Sequence, residues 1–339
     1  MNKSDFSYQL PENLIAQKPA EPRDSSRLLI YDRKTFKTEH VVFSDIKNYL
    51  RAGDVLVLNN TRVTPARLYA YDDKGRKSEI LLLKRISYYV WEVIMRPTRK
   101  VKFDVFYTIT EGFKFKLIEV LADGVRHIQF YFEGVFEDLL SKCGTMPLPP
   151  YIKENLEDPE RYQTVYSKVE GSAAAPTAGL HFTSELLDQI RKMGVIVVEI
   201  LLHVGLGTFR PVKEKDIEKH RMHSEYFEIS KEVADTINLA KSGKRRVIAV
   251  GTTTTRTLES ASDENGFVEA KEDSTEIFIY PPYKFKVVDA LITNFHLPES
   301  SLLMLMSAFA GHNEIMEIYK QAVEMRYRFF SFGDAMFVI

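Results

Sequence analysis

Cysteine is almost missing from the 339 residues: Cys143 is the only one. A lone thiol closes no intrachain disulfide and fills no multi-cysteine zinc site, so disulfide frameworks and zinc ribbons are excluded and a reducing compartment is expected. Long apolar runs are missing as well. The longest, residues 302–310, falls far short of the roughly 20 residues a membrane helix needs. The opening residues Met1-Asn2-Lys3-Ser4-Asp5-Phe6 hold no stretch of signal-peptide type. A soluble, cytoplasmic protein is the expectation. Excess charge is lacking too: 46 Lys and Arg face 47 Asp and Glu, for a net charge of −1. Such a chain does not coat nucleic acid by bulk charge, and any RNA contact must use local patches. With only 16 Gly and 14 Pro against 45% hydrophobic residues, collagenous and disordered classes fall away.

What is present is unevenly spread. Between residues 66 and 133, 13 basic residues oppose 9 acidic ones, a local charge of +4 that leaves −5 for the remainder. This basic stretch alternates β-branched and aromatic residues, as in Tyr88-Tyr89-Val90-Trp91-Glu92-Val93-Ile94, Phe113-Lys114-Phe115-Lys116-Leu117 and His127-Ile128-Gln129-Phe130-Tyr131-Phe132. Gly75, Gly112, Gly124 and Gly134 punctuate it as turns. The pattern predicts a small all-β, barrel-like domain over 64–146, closed by the stiff connector Pro147-Leu148-Pro149-Pro150.

The flanks, 1–63 and 147–339, read as one discontinuous α/β domain with a mainly parallel sheet. Leu186, Leu187, Ile190 and Met193 keep helical spacing before Gly194, and 195–204 is a continuous apolar run of the kind found in strands buried on both faces. The unit repeats with Val233, Ile237, Ala240 and Gly243, then a strand over 246–251. Further strands are expected at 54–58 and 287–292, and helices at about 300–310 and 314–328. In open α/β sheets ligands bind beyond the carboxyl ends of strands. Four polar segments follow these strands: Asn59-Asn60-Thr61-Arg62, His203 to Arg210, Gly251-Thr252-Thr253-Thr254-Thr255-Arg256, and Thr293-Asn294-Phe295-His296. If they share one sheet edge they form a cleft.

Familiar motifs fail on inspection. Gly205-Leu206-Gly207 begins like a dinucleotide fingerprint, but Arg210 stands where the third glycine belongs, and Arg245 stands where a P-loop has Ser or Thr. His220, His223 and Glu225 offer metal-ligand chemistry, yet they read better as a solvated or substrate-facing loop. The stretch Gly171-Ser172-Ala173-Ala174-Ala175-Pro176-Thr177-Ala178-Gly179-Leu180-His181-Phe182-Thr183 is the most unusual. Its small residues suit either close approach of backbone to an anionic ligand at a helix start or tight packing against a neighbour. His181, His203 and His296 are either core histidines or proton-moving groups. From residues alone, the chain is an α/β enzyme with a basic β insertion and a cleft for a small polar ligand.

Whole phrases carry more. Leu14-Ile15-Ala16-Gln17, Thr61-Arg62-Val63, Leu148-Pro149-Pro150-Tyr151-Ile152, Glu160-Arg161-Tyr162-Gln163-Thr164, Ala174 to Thr183, Leu202-His203-Val204-Gly205, Thr293 to Pro298 and Tyr327-Arg328-Phe329-Phe330-Ser331 occur in order. In these the chain resembles the S-adenosylmethionine:tRNA ribosyltransferase-isomerases of queuosine biosynthesis, over nearly all of its length outside the β insertion. The resemblance implies transfer and isomerisation of the ribosyl part of S-adenosylmethionine onto 7-aminomethyl-7-deazaguanine in the wobble position of tRNA. Epoxyqueuosine-tRNA forms, and adenine and methionine leave. It also implies S-adenosylmethionine as co-substrate, tRNA as partner and no requirement for a metal; no membrane is involved, and a monomer is the working expectation. Candidate catalytic residues are His203 and His296, ranked ahead of His181 because each follows a predicted buried strand. Candidate substrate-binding residues are Thr61, Arg62, Thr177, Gly179, Gly205, Thr252, Arg256 and Asn294. Asn60 departs from the family's usual Asp, and an amide cannot accept a proton as a carboxylate does. Two rivals are a non-catalytic tRNA binder stacking bases on Tyr88, Tyr89 and Trp91, and a methyltransferase, for which no glycine-rich cofactor loop is found.

Overall fold

Successive residues of the central strands belong to opposite hydrophobic cores, which is what a sheet covered on both faces demands. Val55 and Val57 sit in one core, Leu56 and Leu58 in the other. The same alternation runs through Val247 and Ala249 against Ile248 and Val250. The computed structural model describes residues 1–97, 101–121, 124–154, 156–205, 212 and 214–339. The chain divides into a larger unit, Met1–Arg62 with Pro149–Ile339, and a smaller one, Val63–Leu148.

In chain order the larger unit contributes β1 (Arg27–Asp32), β2 (Lys37–Val42) and β3 (Val55–Asn59); β4 (Thr61–Val63) follows directly and spans the boundary at Arg62 and Val63. The smaller unit holds β5 (Arg67–Tyr71), β6 (Lys77–Arg85), β7 (Val90–Arg96), β8 (Tyr107–Thr110), β9 (Phe113–Val120), β10 (Val125–Tyr131) and α1 (Phe136–Cys143). The larger unit resumes with β11 (Val169–Ser172), α2 (Ser184–Lys192), β12 (Ile196–Leu202), β13 (Glu225–Ile229), α3 (Lys231–Ser242), β14 (Val247–Val250), α4 (Thr252–Ser260), β15 (Lys271–Thr275), β16 (Ala290–Asn294), α5 (Ser301–Ala310), α6 (His312–Glu324) and β17 (Ala335–Val338).

Among the described residues, nine strands form the large sheet in the order β15-β13-β12-β3-β14-β16-β17-β1-β2. The four at its centre, β12, β3, β14 and β16, run parallel. Antiparallel pairing enters on both sides, at β12 with β13 and at β16 with β17. Helices cover each face: Leu186, Leu187 and Ile190 of α2 pack into one core, while Val233 and Ile237 of α3, Leu303 and Met304 of α5 and Ile315 and Tyr319 of α6 pack into the other. Ser230 and Thr183 cap α3 and α2 through their hydroxyls.

The smaller unit is a closed antiparallel barrel, β10-β7-β6-β5-β8-β9. Inward positions recur with period two: Phe113, Phe115 and Leu117 on β9 and Ile128 and Phe130 on β10 are all buried. Phe136 of α1 completes that core.

Two elements depart from expectation for physical reasons. The strand expected from 287 begins only at Ala290, because the Val287 and Val288 amides donate to the buried Glu259 Oε1 (3.1 and 3.0 Å) instead of to a ladder. The threonine-rich segment after β14 is the first turn of α4 rather than a loop. Threonine is a weak helix former, but here Thr254, Thr255 and Thr257 return their hydroxyls to the carbonyls of Val250, Gly251 and Thr253 at 2.7, 3.1 and 3.0 Å.

Glu259 also accepts from the Lys286 amide at 2.9 Å and the Tyr283 hydroxyl at 3.1 Å, so four donors depend on one carboxyl group. Glu259→Ala strands them in the interior. We expect a loss of roughly 2–5 kcal/mol, seen as a lower urea midpoint by far-ultraviolet circular dichroism. A midpoint equal to wild type would contradict the assignment.

Candidate functional site

The parallel centre delivers the ends of β12, β3, β14 and β16 to one edge, and a cavity of about 280 Å³ opens there in the larger unit. Three of the four anticipated segments reach it: Val204 after β12, Gly251 to Thr253 after β14, and Thr293, Asn294 and His296 at and after β16. The small-residue turn joins them through Ala174 to Ala178. The segment after β3 does not line the cavity.

Two helices begin at this cavity. Gly251 precedes α4 with φ +92°, a left-handed conformation that side chains other than glycine resist. Thr252 and Thr253 line the cavity with hydroxyls that bond to nothing among the described residues. α5 starts at the same place, where Ser300 Oγ accepts from the Leu303 amide at 3.2 Å. Unpaired N–H groups at two helix starts give the cavity a positive field suited to a carboxylate. Lys3 and Glu299, paired at 3.1 Å, add one charge of each sign to the wall. Tyr151 and Phe330 supply a flat apolar surface, stacked with centroids 4.6 Å apart. Burial pushes the Tyr151 phenol up to about 12, and its hydroxyl lies 2.7 Å from Ser331 Oγ.

The three histidines occupy different situations. His181 is held on both ring nitrogens, Nδ1 at 2.7 Å from Ser26 Oγ and Nε2 at 3.1 Å from Asn294 Nδ2, and it stacks on Phe43. Asn294 Nδ2 also donates to the Phe330 carbonyl at 3.1 Å. A carbonyl only accepts, so the amide nitrogen is fixed there, Nε2 of His181 accepts from it, and Nδ1–H donates to Ser26. Burial above all, with the Arg328 and Arg23 cations, brings the His181 pKa down to about 3. Asn294 Oδ1 is left as a buried acceptor without a partner. His296 lines the cavity, with Nε2 2.9 Å from Thr293 Oγ1 and its backbone amide donating to the Tyr319 hydroxyl at 3.0 Å. Burial lowers its pKa to about 3 as well. His203 stands apart from the lining: Nδ1 is 2.9 Å from Thr61 Oγ1, the ring stacks on Tyr226, and burial lowers its pKa.

Of the substrate-binding candidates, Thr177, Thr252 and Asn294 line the cavity. Thr61 faces His203, and Arg62 is engaged by Glu160 and by Ser167 Oγ, the latter at 3.0 Å. Gly179 packs inward, where an added Cβ would fall 1.9 Å from the Tyr166 hydroxyl; its smallness serves packing. Arg256 and Glu225 form a deeply buried ion pair, and Glu225 Oε1 accepts from the Gly205 amide at 2.9 Å. That pairing takes Glu225 out of the set considered as metal ligands. No group of three or more His, Cys, Asp or Glu among the described residues could hold a metal ion. Leu206 to Arg210 lie outside the described residues. Lys3, Glu299 and Ser300 are not among the sequence candidates, and Tyr151 and Ser331 figure there only within the phrases that carry the resemblance. Lys3 in particular carries no local signal, since tertiary structure alone brings it to Glu299.

The sequence model of a family described as "Queuosine biosynthesis protein" matches residues 3–338. The S-adenosylmethionine:tRNA ribosyltransferase-isomerase of Thermoanaerobacter sp. (strain X514) is 56% identical over 344 residues, covering 100% of both chains. That of Caldanaerobacter subterraneus subsp. tengcongensis is 55% identical over 341 residues, again with 100% coverage of both. Among solved structures, the S-adenosylmethionine tRNA ribosyltransferase of Thermotoga maritima matches at 40% identity and a TM-score of 0.57, over 99% of this chain and 100% of that one.

Both buried imidazoles remain neutral in the fold down to about pH 3, whereas the unfolded chain protonates them below about 6.5. The unfolded state therefore binds more protons across that window. Stability is fully present above pH 6.5 and falls as the pH drops toward 3, by roughly 1.4 kcal/mol per pH unit for each histidine. His181→Gln should remove about one histidine's share of that slope in urea titrations at pH 6.5, 5.5 and 4.5. A slope identical to wild type would show that His181 is not held neutral by the fold.

Proposed function

Since the chain belongs to the queuosine biosynthesis protein family, we propose that it moves the ribosyl part of S-adenosylmethionine onto 7-aminomethyl-7-deazaguanine in the wobble position of tRNA. The ribosyl group is isomerised to the epoxyqueuosine nucleotide, and adenine and methionine are released. The enzyme is a transferase, S-adenosylmethionine is its co-substrate, the reaction as written calls for no metal, and the cytoplasm is its proposed setting.

The observation that carries this reading is the cavity at the strand ends. The starts of α4 and α5 and the Thr252 and Thr253 hydroxyls suit the methionine carboxylate, and Glu299 suits its ammonium. Asn294 lines the cavity with its Oδ1 buried and unpartnered, so the amine of adenine or of methionine would reach that acceptor only with a small shift of the side chain. The stacked Tyr151 and Phe330 offer apolar surface to the base or the sugar.

The sulfonium acidifies the neighbouring ribose 5′ carbon. A base removes that proton, the sugar opens and adenine departs; the RNA aminomethyl nitrogen then attacks, and loss of methionine closes the epoxide. His296 lines the cavity; burial keeps it neutral near pH 7 but, by lowering its pKa to about 3, also makes it a weak base, so its position beside the ligand rather than its basicity recommends it. That ranks it ahead of His203, whose ring lies outside the lining.

Incubation with labelled S-adenosylmethionine and precursor tRNA should release adenine and methionine in step with RNA labelling. S-adenosylhomocysteine among the products would mean methyl transfer, and no turnover would leave a binding protein. His296→Ala should lower kcat by about 10²- to 10⁴-fold while cofactor binding survives; near-normal kcat at saturating tRNA would remove it from the chemistry.

A further inference from the structure

The barrel carries two aromatic clusters on its exterior, and they differ in what surrounds them. Tyr88 and Tyr89 pack on each other at 4.8 Å and on Phe132. Arg85, the cation beside Tyr88, is taken by Glu137 at 2.7 Å. Trp91 stacks on Phe136 at 5.3 Å. In this cluster the rings pack on one another and the adjacent cation is paired, although the Trp91 indole N–H is left without a partner.

The second cluster is built on the outer face of β8, β9 and β10. Inward residues Phe113, Phe115 and Leu117 alternate with Lys114 and Lys116, which stand on the opposite face of β9. Register places Lys114 opposite Thr108 on β8 and Tyr131 on β10, and Lys116 opposite Gln129. Phe106, just before β8, is 38% exposed. Both lysine ammonium groups lie 4.3 Å from its ring centroid, and Tyr131 meets its edge at 5.2 Å. Neither lysine forms an ion pair among the described residues, whereas Arg67, Arg76 and Arg85 of the same unit do; Lys77, 3.8 Å from the Tyr69 ring centroid, is likewise unpaired, but there a single cation meets the ring. Two unpaired cations thus rest on an exposed ring with only weak interactions to hold them there.

We propose that the Phe106, Lys114, Lys116 and Tyr131 face of the barrel is an RNA-binding surface, on which the ammonium groups swing to phosphates and Phe106 stacks an unpaired base. The inference rests on the tRNA substrate proposed above. An acidic protein would satisfy the lysines but has no planar base for the ring, and duplex nucleic acid keeps its bases stacked within the helix. Single-stranded or looped RNA answers both features, since phosphate contacts supply affinity and aromatic rings accept bases of any sequence. The local excess of +4 over residues 66–133, in a chain of net charge −1, supplies the long-range attraction. The cations at Arg96 and Lys102, exposed on the same unit, belong to that field. Arg99 and Lys100 lie outside the described residues.

The test uses the full-length enzyme, with unmodified tRNA transcript for binding measured from 50 to 300 mM salt and tRNA carrying 7-aminomethyl-7-deazaguanine for turnover measured by adenine release. Lys114→Gln with Lys116→Gln should lower the slope of log affinity against log salt by about 1.5 units, since each phosphate contact contributes roughly 0.7 to 0.9. Phe106→Ala should weaken tRNA about 5- to 100-fold, with Phe106→Leu intermediate. In all of these KM for tRNA rises, while kcat at saturating tRNA and KM for S-adenosylmethionine stay as in wild type. If wild type binds tRNA and the variants bind it with unchanged affinity and slope, the surface is not used. If the lysine variant weakens binding and Phe106→Ala does not, or if poly-glutamate competes as well as RNA, stacking is wrong and the proposal falls. Wild type that neither binds tRNA nor releases adenine strikes at the proposed function and leaves this surface without its ligand, a result separable from the others.

Discussion

Polar side chains crowd the carboxyl edge of the central strands, and a dry interior tolerates them only when each finds a partner. Asn59 meets that requirement most completely. Its amide oxygen accepts from the Leu202 and Thr61 amides at 3.1 and 3.2 Å, and its nitrogen donates to the Leu202 carbonyl at 3.0 Å. One fully buried side chain thereby adds a rung between β3 and β12 and turns the chain toward Thr61, whose hydroxyl reaches His203. Asn294 does similar service at the end of β16, bonding to His181 and to the Phe330 carbonyl. Because so many groups at this edge are committed, those left over are conspicuous: the Thr252 and Thr253 hydroxyls at the cavity, and the buried Asn294 Oδ1, Asn60 Oδ1 and Arg256 Nη2.

Committed partners also explain which residues serve as framework. Arg256 reads in isolation as a cation waiting for an anionic ligand, yet Glu225 occupies it within the core. Glu225 in turn holds the Gly205 amide, so the pair fixes the point where the chain leaves the end of β12. His181 and His296 share a cause for their depressed pKa, burial, but differ in situation. The first is bonded on both ring nitrogens, and the second faces the cavity.

Legibility followed how local each signal is. The four central strands could be read because apolar runs buried on both faces need no partner to be recognised, and Gly194 and Gly243 mark where the preceding helices stop. The barrel could be read because its alternation is sustained over β6, β7, β9 and β10. The flanking strands were not foreseen. β17 is four residues long, and its partners, β16 and β1, lie dozens and hundreds of residues away. The helical start of α4 was hidden because threonine propensity points away from helix, and only the hydroxyl returns to Val250 and Gly251 reverse that preference. At the site, the shared sheet edge anticipated three of the loops that meet at the cavity but wrongly included the segment after β3. The depth of burial of His181, and the arrival of Lys3 and Tyr151 from distant segments, depend on packing that no local pattern encodes.

Trp91 is the only tryptophan in the chain. It stands on β7, its indole stacked on Phe136 of α1, within the smaller unit. Five of the six α-helices of the described residues belong to the larger unit. The protein therefore carries two intrinsic optical probes that report on different parts of it. Emission excited at 295 nm comes from the barrel alone, while ellipticity at 222 nm is dominated by the α/β unit. Melting of one unit ahead of the other would appear as two non-coincident transitions without any label, and quenching by a nucleobase would be assignable to the barrel from the spectrum itself.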